Sequence, residues 1–228
     1  MRVYRCFAFV DLSGFTALTD HEGDERAVAV LSQFRAILRE VCSRRGVRID
    51  KWLGDGAMLV SVQPMPLLAS LLDFELAISR SNLPLRVRCG ADDGEVILHE
   101  GDDYIGSAVN TAARLCDLAP GGTVLVSQHL AKGRPDWASI TSAREQEIKG
   151  FEDPIAVAEL SLAVLQGSTS ACPVCGVPLS LPVADSTEAL DDGAVALFCS
   201  EGCRETWDRR PRSITEFQGS LRSPLMGA

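Results

Sequence analysis

Two aspartates occupy positions from which their carboxylates can act together. Asp11 follows the apolar run at residues 3–10, which predicts a buried strand, and Asp55 lies in a Gly-Asp-Gly turn of a predicted hairpin. If that strand pairs beside the hairpin, the carboxylates converge, and without a nearby cysteine or histidine they suit hard cations such as Mg²⁺ or Mn²⁺. Residues 13–16 form a turn before a helix, whose backbone N–H groups attract phosphate oxygens. These features favour phosphoryl or nucleotidyl transfer, and the alternative is two ordinary surface acids.

Four of the eight cysteines form two close pairs late in the sequence. Cys172 and Cys175 lie in CPVCG, and Cys199 and Cys203 lie in CSEGC. Each pair sits on a tight turn, so its two sulfurs can face one point, and two such pairs predict a tetrahedral zinc site. The alternative is a surface disulfide or a redox pair. The other four cysteines lie in apolar or helical pattern, which predicts small buried side chains: Cys6, Cys42, Cys89 and Cys116.

Charge and hydropathy exclude several classes of partner. The 228 residues carry 22 basic and 31 acidic side chains, for a net charge of -9, and the isoelectric point is near 4.9. This excess of acid leaves no general electrostatic surface for DNA or RNA. The most apolar stretch, residues 58–72, is interrupted by glutamine and proline, whereas a spanning helix needs about 20 continuous apolar residues. The apolar run near the N-terminus is too short for a signal-peptide core, so we expect a cytoplasmic protein without a membrane segment.

Strand-like and helix-like segments alternate through the first two thirds of the chain. Helical spacing of apolar residues predicts helices, and short apolar runs beside glycine or aspartate predict strands. This alternation, with one hairpin in the middle, predicts an α+β fold in which helices pack on a mostly antiparallel sheet. The predicted helices cover residues 27–44, 66–80 and 107–118, and the predicted strands cover residues 3–10, 47–53, 57–62, 85–99, 124–127, Ile148 and 154–160.

A segment rich in glycine, serine and threonine divides the chain. Residues 164–170 have the composition of a flexible linker. We therefore predict a large domain at residues 1–163, a small cysteine module at residues 171–210 and a loose tail at residues 211–228. Metal-bound thiolates would hold together a module whose own core is too small to do so.

Four motifs follow one another along the large domain: FVDLSGFTALT, KWLGDGAMLVS, GDDYIGSAVNTAARL and EIKGF. Together they resemble the class III nucleotide cyclase catalytic domain, the family of adenylate and guanylate cyclases, over roughly residues 5–160. The resemblance implies a ferredoxin-like, palm-type antiparallel sheet with helices packed on it. It also implies that a nucleoside triphosphate is converted to a cyclic nucleotide and pyrophosphate with two Mg²⁺ or Mn²⁺ ions per active site.

The resemblance assigns the first motifs to metal and phosphate binding. Asp11 and Asp55 would hold the two divalent ions, with the backbone carbonyl of Leu12 as a further ligand. The backbone amides of Phe15 and Thr16 would bind the triphosphate. The acids and the amides would thus act on the same end of the nucleotide.

The remaining motif residues concern the base, the ribose and the transition state. Lys51 and Asp103 fall where members that use ATP recognise adenine, since a carboxylate accepts the amino hydrogens and a lysine donates to a ring nitrogen. Asn110 would orient the ribose and Arg114 would neutralise charge that grows on the phosphate, and their spacing of four places them on one helix face. Lys149 aligns with a lysine that contacts the distal phosphates. An adenylate cyclase is implied, and the alternatives are a catalytically silent nucleotide-sensing module and a guanylate cyclase.

The family geometry also implies a partner. In this family two catalytic domains pair head to tail, and each active site is shared across the interface. One chain that carries both the metal acids and the base-recognition residues therefore implies a homodimer with two equivalent sites. The ribose 3′-hydroxyl would attack the α-phosphate in line and release pyrophosphate. ATP and a second copy of the chain are the expected partners.

Some residues depart from the family pattern or lie outside it. Family members often have His-Thr before a glycine where this chain has Asp92 and Asp93. The added charge has no counterpart in the pattern. The three histidines match no family position, so we expect structural roles for them: His21, His99 and His129.

The late cysteine pairs carry a second resemblance. CPVCG followed by FCSEGC is similar to the YHS-type (TRASH-like) metal-binding modules. Those modules commonly have an acid where Cys172 stands, so a set of four thiolates favours zinc. The module is expected to be either a structural zinc clip or a metal or redox sensor that regulates the cyclase across the linker.

Overall fold

The computed structural model describes residues 1–101, 103–148, 150–151, 153–162, 187–189, 195–197, 202 and 204–205. These ranges contain nearly all of the predicted large domain. The linker at residues 164–170 and the tail at residues 211–228 lie outside the described residues. Five residues with predicted roles lie outside them as well: Lys149, Cys172, Cys175, Cys199 and Cys203.

A single eight-stranded sheet runs through the described part of the large domain. Its strands are β1 (Arg2–Ser13), β2 (Arg48–Leu53), β3 (Gly56–Ser61), β4 (Arg86–His99), β5 (Asp103–Ile105), β6 (Thr123–Ser127), β7 (Ala138–Gln146) and β8 (Ile155–Leu162). The order across the sheet is β2-β3-β1-β4-β6-β8-β7, and β5 pairs with β4 off this path. Only β4 and β6 pair in parallel among these strands, so the predicted, mostly antiparallel sheet is confirmed.

Helices cover both faces of this sheet. They are α1 (Phe15–Glu22), α2 (Asp24–Arg45), α3 (Pro64–Ser79), α4 (Ser107–Leu118) and a short 3-10 helix (Leu130–Gly133). Successive side chains of a strand face opposite sides of the sheet. Cys6 of β1 belongs to the core that contains Phe34 of α2 and Phe74 of α3, whereas the next residue, Phe7, packs in the core that contains Ala112 of α4. The helices α2 and α3 therefore lie on one face and α4 on the other.

Most predicted elements agree with the structure, but α1, β5 and the short 3-10 helix are absent from the predicted set. α4 has the predicted bounds, and α2 and α3 begin a few residues before the predicted positions. The prediction of a strand at Ile148 is wrong, because this residue lies in the segment between β7 and β8 and is buried against Leu115 and Val157. β7 was not predicted, since most of its side chains are exposed and it lies at the edge of the sheet.

The four scattered cysteines are buried free thiols, as predicted. Burial raises the pKa of Cys42 to about 12. It also raises the pKa of Cys116 to about 12, with a further contribution from the nearby charge of Asp11. These thiols stay protonated at neutral pH and act as small apolar side chains.

Two short strands are described within the range of the predicted cysteine module. They are β9 (Thr187–Ala189) and β10 (Val195–Leu197), and they pair in antiparallel fashion. Across the whole described part of the chain, every helix is too short or too polar to cross a membrane.

Candidate active site

The two predicted metal acids lie on one side of the β1–β3 pair. Asp11 is the register partner of Gly56, which directly follows Asp55 in the turn between β2 and β3. A Cβ atom built on Gly56 would lie 2.7 Å from the Val10 carbonyl oxygen and 3.1 Å from Asp11 Oδ1. Glycine therefore allows the close approach of the two strands that brings Asp55 beside Asp11. Leu12, the next residue of β1, turns its side chain into the core.

An arginine holds one of these acids. Nε and Nη2 of Arg88 donate to Asp11 Oδ2 at 2.8 Å and 2.6 Å, and Nη1 donates to the Asp117 carbonyl oxygen at 3.3 Å. Burial and the nearby charge of Asp11 raise the pKa of Asp55. The charges of Asp11 and Asp55 thus repel each other, and the positive charge of Arg88 lies beside them.

Arg88 was not among the predicted site residues. It is the register partner of Asp11 on the neighbouring strand β4. Hydrophobic alternation along a strand indicates which face a residue occupies, but not which residue of a distant strand lies opposite it. The available signal was a basic side chain inside the predicted strand at residues 85–99.

The start of α1 lies beside the same acids. Gly14 precedes the helix with a φ of 88°, in the left-handed region that favours glycine. The first N–H groups of a helix have no acceptor within the helix, and those of Phe15 and Thr16 are at this position. No side chain caps this end of α1. Thr16, Asp11 and Asp55 line one cleft of about 350 Å³, which we call the acid cleft. Free N–H groups beside two carboxylates suit a phosphate chain bridged by cations.

Lys51 and Asp103 meet at a different place in the fold. They form an ion pair between β2 and the start of β5. The hydrogen bond and the charge of Lys51 lower the pKa of Asp103. Both side chains are partly exposed, and neither lines the acid cleft. The structure therefore joins the two predicted base-recognition residues into one polar pair, apart from the acids.

Asn110 and Arg114 lie one turn apart on the exposed face of α4. The opposite face of α4 lies directly on β4 at Gly90, where an added Cβ would be 1.9 Å from the Cys116 backbone nitrogen. This close contact fixes which face of the helix points outward. Arg114 Nη1 lies 3.4 Å from Asp117 Oδ2 in an exposed ion pair. Neither Asn110 nor Arg114 is among the described residues that line the acid cleft.

Solved structures share this architecture. The guanylyl cyclase Cya2 superimposes with a TM-score of 0.63 at 23% identity, over 73% of this chain and 96% of that chain. The adenylyl cyclase CyaB from P. aeruginosa gives a TM-score of 0.57 at 24% identity, over 70% of this chain and 94% of that chain. At such low identity the similarity defines the fold, which is that of a nucleotide cyclase catalytic domain.

Sequence similarity defines the family of the chain. The family described as the adenylate and guanylate cyclase catalytic domain matches residues 5–158, and the chain belongs to this family. An uncharacterized Mycobacterium tuberculosis protein is 35% identical over 152 residues, which are 67% of this chain and 40% of that protein. A pH-sensitive adenylate cyclase of M. tuberculosis is 32% identical over 129 residues, 57% of this chain and 32% of that enzyme. The chain thus spans well under half the length of these curated relatives.

Proposed function

We propose that the chain is the catalytic domain of an adenylate cyclase, which converts ATP to 3′,5′-cyclic AMP and pyrophosphate. The ion pair of Lys51 and Asp103 carries this proposal. A lysine donates to a ring nitrogen of adenine, and a carboxylate accepts from its amino group. Guanine has a carbonyl oxygen in place of that amino group, which a carboxylate repels. The relative from Glutamicibacter nicotianae, 30% identical over 151 residues and named an adenylate cyclase, supports the same substrate.

The acid cleft fits divalent cations. Asp11 and Asp55 offer carboxylate oxygens in this cleft, and oxygen ligands suit Mg²⁺ and Mn²⁺. Contrary to the sequence-based expectation, a cysteine, Cys116, also lines the cleft, but burial and the charge of Asp11 raise the pKa of its thiol to about 12, so it stays protonated and is a poor metal ligand at neutral pH. The Leu12 carbonyl group remains a proposed further ligand. Burial and the charge of Asp11 raise the pKa of Asp55, and a cation between the two carboxylates would oppose both effects. Two such ions would lower the pKa of the ribose 3′-hydroxyl and neutralise charge on the phosphates.

The chain's own groups bind and orient the triphosphate. We propose that the N–H groups of Phe15 and Thr16 donate to phosphate oxygens at the start of α1. The Arg88 guanidinium, which borders the same cleft, adds positive charge beside the phosphates. Lys149, which lies outside the described residues, keeps its predicted contact with the distal phosphates. The 3′ oxygen then bonds to the α-phosphorus, the hydroxyl proton leaves to solvent, and the bond to the bridging oxygen breaks to release pyrophosphate.

A second copy of the chain would complete each site. Asn110 and Arg114 project from the exposed face of α4, and the pair of Lys51 and Asp103 lies apart from the acid cleft. We propose that these four residues serve the nucleotide whose phosphates lie in the acid cleft of the partner. Two identical chains related by a twofold axis would then form two equivalent sites.

Product analysis tests the proposed activity. The purified chain is incubated with MnATP or, separately, with MnGTP, and the products are separated by chromatography. We expect cyclic AMP as the main product, and an Asp11→Asn chain prepared in the same way controls for contaminating cyclases. Cyclic GMP as the main product would identify a guanylate cyclase instead. Tight ATP binding without any cyclic product would identify a catalytically silent nucleotide-sensing module.

The predicted zinc module is a separate proposal. Its four cysteines lie outside the described residues, and the proposal rests on their spacing. We expect one Zn²⁺ per chain by elemental analysis and none after replacement of Cys172 and Cys199 by serine. If zinc removal and thiol oxidation both leave cyclase activity unchanged, the module does not regulate the enzyme.

A further inference from the structure

A second cluster of ionisable groups lies where β4 and β6 separate. The parallel pairing of these strands ends at Ala91 and Val126. Directly beyond that point, His129 Nε2 lies 3.1 Å from Asp92 Oδ1 and 2.8 Å from Asp93 Oδ1. The three ligand atoms lie within 4.8 Å of one another. Two strands of the sheet therefore bring an imidazole nitrogen and two carboxylate oxygens to one point.

The single hydrogen that His129 Nε2 can carry does not satisfy both carboxylates. Nε2 carries at most one hydrogen, and it has hydrogen-bonding geometry with the Asp93 carbonyl oxygen at 3.2 Å and the Ser127 hydroxyl at 3.5 Å. In the described part of the chain, Asp92 Oδ1 and Asp93 Oδ1 have no hydrogen-bond partner. The side chains of these aspartates are only 8% and 6% exposed. Because Nε2 can donate to only one of them, at least one buried carboxylate oxygen is left without a donor, which is costly unless a cation binds it.

Hydroxyl groups orient both carboxylates toward the histidine. The Tyr4 hydroxyl donates to Asp93 Oδ2 at 2.6 Å, which leaves Oδ1 facing Nε2. This bond and burial raise the pKa of Tyr4, so it stays the donor. The Ser127 hydroxyl hydrogen-bonds the Asp92 carboxylate, whose pKa burial raises. Outer hydrogen bonds that hold ligating groups in place are typical of metal sites.

The cluster is open to solvent on one side. The side chain of His129 is 56% exposed, while the two carboxylates form the buried floor. An ion could therefore enter from solvent and keep water molecules among its ligands. None of these three residues lines the acid cleft, so the cluster is separate from the proposed catalytic ions.

We propose that Asp92, Asp93 and His129 bind one divalent transition-metal ion, with Mn²⁺ as the representative of its class. An imidazole nitrogen with two carboxylates favours ions such as Mn²⁺, Fe²⁺, Co²⁺ or Zn²⁺ over Ca²⁺, which takes oxygen alone. The ion would join β4 to the end of β6 beyond their last backbone pairing. The chain uses two acids here where the family pattern often has His-Thr. This inference does not depend on the proposed cyclase activity.

Mn²⁺ binding to the full chain tests the proposal without any enzyme assay. Asp11→Asn and Asp55→Asn are introduced to remove the acid cleft as a competing site, and free Mn²⁺ is followed by electron paramagnetic resonance. Mn²⁺ is chosen because thiolates bind it poorly, which keeps the cysteine pairs out of the titration. We expect one Mn²⁺ per chain, and at least about tenfold weaker binding after His129→Gln or Asp93→Asn.

A matched histidine supplies the control. The side chain of His99 is also 56% exposed and lies 3.4 Å from the Glu100 carboxylate. We expect His99→Gln to leave Mn²⁺ affinity unchanged, whereas Tyr4→Phe, which removes only the outer hydrogen bond, weakens it by about tenfold. Circular dichroism checks that each variant folds. Absence of Mn²⁺ binding at millimolar concentration, or equal binding by the His129→Gln and His99→Gln chains, would overturn the proposal.

Discussion

Replacement of Arg114 by alanine can separate an effect on catalysis from an effect on stability. Arg114 and Asp117 form an i,i+3 pair at 3.4 Å with side chains 54% and 60% exposed. Such a surface pair contributes about 0.3–0.5 kcal/mol to the free energy of unfolding. Alanine has a higher helix propensity than arginine, which offsets part of this loss. The free energy of unfolding should therefore change by less than about 0.5 kcal/mol. Loss of a guanidinium that acts at the transition state should lower kcat by about 10²- to 10³-fold, with little change in the KM for MnATP.

Arg26 offers a matched control for this experiment. It forms an i,i+4 ion pair with Glu22 at 3.2 Å, and both side chains are 49% exposed. Arg26→Ala removes a comparably exposed surface pair, which joins the end of α1 to the start of α2, so its thermal midpoint should be close to that of Arg114→Ala while its turnover stays at the wild-type level. Initial rates of cyclic AMP formation and thermal melts measure the two quantities. Turnover of Arg114→Ala within about threefold of wild type, or an equal loss in both variants, would refute the assigned role.

Other residues of the fold and of the proposed active site give further tests. Gly90→Ala should destabilise the chain by about 3 kcal/mol in urea unfolding, because the new Cβ would lie 1.9 Å from a backbone nitrogen of α4. Gly94→Ala, whose nearest contact is 3.3 Å, should cost less than about 1 kcal/mol. Asp55→Asn should raise the thermal midpoint at neutral pH, since burial and a neighbouring carboxylate raise the pKa of Asp55. This gain should vanish as the pH falls through that pKa, where the wild-type carboxyl is itself neutral. Lys51→Glu combined with Asp103→Cys should shift the ratio of kcat/KM for ATP and GTP toward GTP by at least about tenfold, because the glutamate can accept hydrogen bonds from the ring N–H and amino group of guanine and the cysteine removes the carboxylate that repels its carbonyl oxygen.

The local sequence pattern was enough to predict those helices and strands that have a continuous apolar face. α4 buries one face on β4, so its periodicity indicated both of its ends. β7 is an edge strand with mostly exposed side chains, and its sequence has little alternation to detect. The wrong strand at Ile148 has the opposite origin, since a buried apolar residue of a connecting segment resembles a strand residue when only the sequence is known.

The contacts within the sites were harder to predict than the helices and strands, because they depend on which distant strands pair. The motif positions indicated Lys51 and Asp103 individually, but their ion pair follows from the place of β5 beside β4. Arg88 faces Asp11 through the register of β1 and β4. The contact of His129 with Asp92 requires the parallel pairing of β4 and β6. Such non-local pairings leave no periodic signal in a single sequence.

Mixing two inactive chains tests most directly whether each active site draws residues from two subunits. One chain carries Asp11→Asn and Asp55→Asn, and the other carries Arg114→Ala. In a dimer that contains one of each, one site combines intact acids with an intact arginine, and half of all dimers are of this type after random exchange. Shared sites therefore predict recovery of about a quarter of wild-type cyclic AMP formation on mixing. Activity that stays at the sum of the two separate variants, while the chains are shown to exchange, would contradict the account.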